Sequence, residues 1–355
     1  MQRYQRQMIL PELGEQGQRR LSASRAVVIG AGGLGCPALQ YLTGAGVGHI
    51  TLVDDDVVSL SNLHRQVLYT DADIGTPKVH AAAARLRAMN PTVAIHPVAA
   101  SFTAANAAEL INGADVVLDC TDTFAAKFLA ADAAVKYGVP LVYGAILGWN
   151  GEAALFDSRN GACFRCLYTA PPLGHVPNCA EAGVIGALAG VIGSVQALEA
   201  IKVLLGLGTP GVLLQYDGLT ATTRRLSVTK DPACPTCSHG SEDIMFNTAV
   251  STITAAAAAA LPDALYLDVR EPYEWQAGHV RGAVHLPLGQ IASNPRDAAA
   301  TLPPGKNIVI YCKAGVRSAQ AAVLLQAQGA TNLHSLTGGI DAWTAAHGAE
   351  SLARP

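Results

Sequence analysis

AVVIGAGGLG, residues 26–35, is a short apolar strand that runs straight into a glycine-rich turn. A helical pattern follows to about Ala45, and a second strand, HITLVD (49–54), ends on Asp54. Strand, glycine turn, helix and acid-ended strand make a β-α-β unit. Gly30, Gly32, Gly33 and Gly35 let the backbone approach phosphate oxygens, and the helix start offers unpaired N–H groups. Further out, IHPVAA (95–100), DVVLDC (115–120) and PLVYGAI (140–146) read as strands between alanine-rich helical segments. That alternation predicts an α/β fold with a doubly wound, Rossmann-like, mostly parallel sheet.

The chain has 355 residues, long enough that two domains are expected. Half of it is apolar, and the formal net charge of −3 gives no electrostatic case for nucleic acid or an anionic membrane. The start, MQRYQRQMIL, lacks a signal-type apolar run, so a cytoplasmic location is expected. The apolar stretch 184–205 carries Gln196, Glu199, Lys202 and repeated glycines. It reads as a buried or oligomer-facing helix rather than a membrane span.

The glycine turn alone serves NAD, FAD and ATP equally. The charges after it separate them. DDDVVSLSNLHRQ supplies Asp54, Asp56, Asn62, Arg65 and Gln66; Lys78 follows, and Arg3 and Arg6 lie near the start. A nicotinamide cofactor has two bridging phosphates and needs no such concentration of cations. A triphosphate cut between its α and β phosphates does, because charge builds on the departing pyrophosphate. Asp122 and Thr123, in LDCTDT, lie just past a strand end, where a carboxylate can hold Mg²⁺ against phosphate oxygens.

Eight cysteines without a secretion signal do not suggest a disulfide framework. Cys163 and Cys166 form one C-x-x-C, Cys234 and Cys237 another. Two such knuckles supply the four thiolates of a closed, structural zinc site. Cys36 and Cys120 read as core residues.

A polar segment, 241–248, reads as a linker between a domain of residues 1–240 and a small α/β domain of 249–355. In the latter, NIVIYCKAGVRS (307–318) is an apolar strand that stops at Cys312. Loop N–H groups and the next helix's N-terminus would stabilise a thiolate there, with Lys313 and Arg317 adding positive field. Arg317 either bridges the sulfur and its donor or braces the loop. Asp268 and Arg270 read as a scaffold pair. A phosphatase loop would be longer than CKAGVRS; the compact loop favours sulfur.

RYQRQ, GAGGLG, DDDVVSLSNLHRQ, the Pro77–Lys78 pair, CTDT and the paired C-x-x-C motifs together resemble the ubiquitin-activating-enzyme-like adenylyltransferases over residues 1–237. LDVREPYEWQAGHVRGAVHLP, CKAGVRS and TGGIDAW resemble a rhodanese domain. The first resemblance implies that Gly32, Asp54, Arg65, Lys78 and Asp122 bind Mg-ATP or stabilise its transition state. It implies a homodimer, with Arg6 reaching the partner subunit's site. Thr123 departs from the family's asparagine, which is expected to alter metal-site polarity rather than abolish activity. Cys179 resembles a family cysteine that contacts the carrier's C-terminus through a thioester or persulfide, which implies a catalytic role, cleavage of the acyl disulfide included; the alternative is a small packing residue at a helix start.

Together the resemblances imply ATP-dependent adenylation of a small ubiquitin-fold sulfur carrier ending in Gly-Gly, in molybdopterin, thiamin or related sulfur biosynthesis. Sulfur would then pass from a Cys312 persulfide, charged by a cysteine desulfurase or thiosulfate, to give a thiocarboxylate. Two alternatives come from other classes: an NAD-dependent oxidoreductase with a regulatory rhodanese module, and a non-catalytic adaptor that docks carriers.

Overall fold

The structure, a computed structural model, describes residues 2–169, 182–234, 236–238, 244, 251–326, 328 and 330–353. Two compact units emerge: Met1–Thr169 with Pro177–Phe246, and a second that includes Asn247–Pro355. Apart from Ile244, the segment read as a linker lies outside the described residues.

The first unit is built on one sheet of eight strands: β1 (Arg25–Ile29), β2 (His49–Val53), β3 (Ala94–Val98), β4 (Val116–Asp119), β5 (Leu141–Leu147), β6 (Asn150–Phe156), β7 (Val212–Asp217) and β8 (Thr222–Ser227). Their order is β3-β2-β1-β4-β5-β6-β7-β8. The first five are parallel, with Ile29 level with Val53 on one side and Asp119 on the other. From β5 onward the pairing is antiparallel. Helices Gly35–Ala45, Lys78–Met89 and Gly186–Leu205 cover one face with Leu39, Leu42, Leu86 and Ile192. Helices Ala107–Ile111 and Phe124–Lys136 cover the other, over Phe128, Tyr143, Phe156 and Phe164.

The five parallel strands sit where the sequence reading put them; β6, β7 and β8 were not read. Gly148, at φ +58°, turns the chain between β5 and β6. Five of the seven β6 residues are buried, so its apolar positions do not alternate; β8 is exposed throughout, so it has no apolar face. Neither shows the period of two that marks a strand with one buried face.

Gly186–Leu205 is long and apolar enough by composition to cross a membrane, and half of it is buried against this unit. Leu188, Ile192, Gln196, Ala200 and Leu204 form the buried stripe at helical spacing. Gly193 permits its close approach: a Cβ there would lie 2.3 Å from the Leu34 carbonyl oxygen, at the end of the glycine turn.

Among the described residues the second unit has seven strands: β9 (Ser251–Ile253), β10 (Leu265–Asp268), β11 (His279–Val280), β12 (Val284–His285), β13 (Ile308–Tyr311), β14 (Leu333–Leu336) and β15 (Leu352–Ala353). Five form a parallel sheet in the order β12-β10-β13-β14-β9, and β11 pairs antiparallel with β15. β13 is central and buried throughout, which is why it reads as an unbroken apolar run. Cys312 follows directly at its C-terminal end, the end where open parallel sheets carry their sites.

Candidate active sites

The glycine turn is tight because two positions have no room for a side chain. Gly30 has φ +100°, and a Cβ on it would lie 2.7 Å from the Cys120 carbonyl oxygen at the end of β4. On Gly35 it would lie 2.1 Å from the Gly30 carbonyl oxygen. Gly32 and Gly33 lie against Gln66 and Arg65, with would-be contacts of 3.6 Å to each. Asp54 ties the turn to β2: Oδ2 accepts the Ala31 N–H at 2.7 Å and Oδ1 accepts the Asp56 N–H at 2.9 Å. Burial raises the Asp54 pKa above the ordinary carboxylate range, with Lys78 opposing.

Around this turn Asp54, Asp56, Arg65 and Lys78 of the predicted charges converge, while Arg3 donates to the Met89 carbonyl at 3.0 Å. Lys78 is buried, and its Nζ contacts Asp56 Oδ2 at 2.7 Å. Arg65 donates through Nη2 to Asn62 Oδ1 at 2.8 Å, and Asn62 Nδ2 donates to Ser59 Oγ at 2.5 Å. Gln66 is buried, and its Oε1 has no hydrogen-bond partner among the described residues. A bare glycine cradle, an orphaned acceptor and two cations suit a phosphate-bearing nucleotide. Asp122 is exposed beyond β4 and makes no side-chain hydrogen bond or ion pair among the described residues, so its carboxylate is free to hold Mg²⁺. Thr123 directly precedes helix Phe124–Lys136. Its Oγ1 caps that helix, accepting the Ala126 N–H at 3.3 Å.

Cys163, Cys166, Cys234 and Cys237 gather with all four Sγ atoms within 4.8 Å of one another. Three edges measure 3.8 Å (Cys163–Cys166), 3.5 Å (Cys163–Cys234) and 3.5 Å (Cys166–Cys237). A zinc tetrathiolate, with Zn–S near 2.3 Å, has S···S edges of about 3.8 Å. The donor set therefore fits zinc and leaves no open position. Asp132 ties both knuckles to the neighbouring helix, accepting Arg165 at 2.9 and 2.6 Å and Thr236 Oγ1 at 3.3 Å. Burial pushes the Cys36 thiol up to about 12 and Cys120 higher still, as suits core thiols. Cys179 lies outside the described residues.

In the second unit Cys312 Sγ accepts the Gly315 N–H at 3.1 Å, with Ser318 Oγ at 3.8 Å. Gly338 and Gly339 hold φ of +70° and +58°. They turn the chain so that the Ile340 N–H reaches the Cys312 carbonyl at 2.8 Å. A Cβ on Gly339 would lie 2.3 Å from that carbonyl oxygen, which is why TGGIDAW accompanies CKAGVRS. Arg317 is engaged: Nη1 and Nη2 meet Glu274 Oε2 and Oε1 at 2.6 and 2.8 Å. The pair holds the Glu274 carboxyl below its usual range and raises Arg317. Asp268 and Arg270 form a buried pair at 2.6 Å under the loop.

Residues 4–236 match the ThiF family, and residues 254–346 match the Rhodanese-like domain. The chain belongs to the ThiF family. A sulfur carrier protein adenylyltransferase of Thermus thermophilus is 50% identical over 67% of this chain and 90% of its own length. A probable adenylyltransferase/sulfurtransferase, MoeZ, of Mycobacterium tuberculosis is 40% identical over 96% of this chain and 92% of its own length. Among solved structures, E. coli MccB with MccA-N7isoASN superposes with a TM-score of 0.56 at 18% identity, covering 62% of this chain and 69% of that one. That last likeness is one of fold.

Within the ThiF unit the site residues fall into two groups. Gly30 to Gly35, Asp54, Asp56, Asn62, Arg65, Gln66 and Lys78 surround the turn. Arg6 does not join them. Its neighbour Gln7 donates to the Ala45 carbonyl at 2.9 Å, at the far end of the 11-residue helix that the turn begins. That helix is roughly 16 Å long.

The ThiF unit also contains a buried network that sequence reading missed. Asp119, fully buried at the end of β4, accepts Lys127 Nζ at 3.1 Å and Thr121 Oγ1 at 2.6 Å. Lys127 also donates to the Gly144 carbonyl at 2.6 Å, and Gln196 Nε2 donates to the Asp119 carbonyl at 2.7 Å. The available signal was a lysine in the first turn of the helix that follows a strand-ending acid, eight positions after it. Asp119→Ala strands the Lys127 ammonium, and a buried charge without its partner costs about 3–5 kcal/mol. Denaturant unfolding of the variant is expected to show a loss of that size.

Proposed function

We propose that this ThiF-family chain activates the C-terminal carboxylate of a small ubiquitin-fold sulfur carrier with ATP and then thiolates it. The observation that carries the reading is one chain holding both a glycine-turn crevice ringed by Arg65 and Lys78 and a cysteine whose sulfur meets a loop N–H at 3.1 Å. The named relatives are adenylyltransferases, and the one matching nearly the whole chain is also a sulfurtransferase.

In the first stage the carrier's carboxylate oxygen attacks the α-phosphorus of ATP. The bond to the β-phosphate bridge breaks, and pyrophosphate departs with the electron pair. Asp54 orients the ribose, the glycine turn admits the phosphates, and Arg65 and Lys78 stabilise the leaving charge. Asp122 would hold Mg²⁺, which when bound neutralises phosphate oxygens. Arg6, remote from its own chain's turn, serves the partner's site in a homodimer. Zinc on Cys163, Cys166, Cys234 and Cys237 is structural.

In the second stage the terminal sulfur of a Cys312 persulfide attacks the acyl carbon, and AMP leaves. A thiol then attacks the Cys312 sulfur; a disulfide forms between that thiol and Cys312, the carrier departs as its thiocarboxylate, and a second thiol reduces the disulfide and frees Cys312. We place the chain in the cytoplasm and its carrier among those serving molybdopterin, thiamin or related sulfur biosynthesis. The test is ATP–pyrophosphate exchange: it is expected only with a carrier ending in Gly-Gly, and not with one whose last glycine is deleted. Exchange without any carrier, or none with a matched carrier, overturns the reading.

A further inference from the structure

A cavity of about 640 Å³ opens beside the Cys312 loop. Its lining carries three cations, Arg270, Lys313 and Arg317, and two carboxylates, Glu274 and Asp341. Two of the cations are already engaged. Arg270 donates through Nε and Nη2 to Asp268 at 2.9 and 2.6 Å, and through Nη2 to the Gly278 carbonyl at 2.7 Å. Arg317 donates through Nη1 and Nη2 to Glu274 at 2.6 and 2.8 Å. Lys313 is exposed and has no acidic partner among the described residues. Asp341 shares that lining with it. Glu274 itself is held in place, because its Oε2 also accepts the Glu271 N–H at 3.0 Å in a capping box.

Thiosulfate enters such a site as a dianion and leaves it as a dianion, sulfite. A pocket suited to it needs cations whose charge is not already balanced. We infer that Glu274 determines the sulfur donor: by neutralising Arg317 it turns the site away from dianionic donors and toward alkyl persulfides such as cysteine persulfide. This deepens, and rests on, the reading of Cys312 as the sulfur acceptor. With either donor the Cys312 thiolate attacks the outer sulfur, and the donor's S–S bond breaks. The electron pair leaves with sulfite in one case and with the donor thiolate in the other. The transferred sulfur stays on Cys312 as a persulfide, with no external oxidant or reductant. The alkyl donor's thiolate takes up the proton that its own persulfide brought, so little charge accumulates before Glu274 and Asp341.

The experiment compares thiosulfate with cysteine persulfide as donors to the full chain, with kcat/KM read for each. Glu274→Gln is expected to raise the thiosulfate-to-persulfide ratio of kcat/KM by about tenfold or more, through a lower KM for thiosulfate, with the gain shrinking as salt rises. Adding Arg317→Gln to that variant is expected to remove the gain. A damaged fold cannot produce a lower KM, so the rise reads the freed guanidinium. A ratio that stays level or falls in Glu274→Gln, or a rise that survives loss of Arg317, overturns the inference. Intact mass after donor treatment separates the two levels. If neither donor adds one sulfur atom at Cys312 in the wild type, the reading of Cys312 fails, and this inference with it. If the sulfur is added but the ratio does not move, the role of Glu274 alone fails.

Discussion

Cys312→Ala is expected to abolish thiocarboxylate formation while carrier-dependent pyrophosphate exchange continues at the wild-type rate. The two reactions use different atoms in different units. On the proposed reading, adenylation uses the turn from Gly30 to Gly35, Asp54 and the cations around it, all within the ThiF unit. Sulfur transfer needs a nucleophile, and the substitution removes it without disturbing the fold: Cys312 is 98% buried, and alanine fills most of the same space. Loss of a covalent nucleophile lowers turnover on the order of 10³-fold or more. The carrier should accumulate as its adenylate or hydrolyse back to the carboxylate, and mass spectrometry of the carrier distinguishes these from the thiocarboxylate. Thiolation that persists in the variant would place the nucleophile elsewhere in the chain.

What the sequence made legible follows from where backbone geometry demands a particular residue. Gly30 and Gly35 sit where any Cβ collides with a carbonyl oxygen, so GAGGLG announces its turn without help from tertiary context. Cys312 was legible for a related reason: β13 is buried on both faces and stops abruptly, and Gly339 must be glycine beside it. The cysteine knuckles were legible because zinc geometry imposes a spacing.

The unread features depend on partners distant in sequence. Gln196 meets the Asp119 carbonyl across 77 positions, and Arg317 meets Glu274 across 43. No local pattern encodes such pairs. Arg317 shows the consequence most clearly. Read from CKAGVRS alone it adds positive field at the sulfur; in the fold its charge is matched by Glu274, from the capping box of helix Pro272–Ala277. The antiparallel strands β6 and β8 escaped for a different reason, since the near-continuous burial of one and the full exposure of the other both erase alternation.

Removing zinc is expected to unfold the ThiF unit, or at least the end that holds the knuckles, and to leave the rhodanese-like unit's transition in place. Cys163 and Cys166 lie 71 positions from Cys234 and Cys237, so the ion would close a long loop of chain. Apart from it, few polar bonds join the knuckles to the rest, the shortest being those of Arg165 to Asp132 at 2.9 and 2.6 Å. Thr236 reaches Asp132 at 3.3 Å, and the Asp231 N–H reaches Cys166 Sγ at 3.4 Å. Without the cation, four sulfurs within 4.8 Å of one another meet burial and mutual repulsion; burial first, then Cys234, raises the Cys163 thiol. Structural zinc contributes on the order of 10 kcal/mol in apparent terms, comparable with the whole stability of an ordinary domain, about 5–15 kcal/mol. The rhodanese-like unit has its own core around Leu267, Ile310 and Leu325, so its unfolding should not follow. Calorimetry with and without a strong chelator, alongside Cys234→Ser, reads both transitions. Metal analysis should return one zinc per chain for the wild type and none for the variant. A ThiF-unit transition that chelation and Cys234→Ser both leave unmoved would show that the four thiols pack as a metal-free cluster.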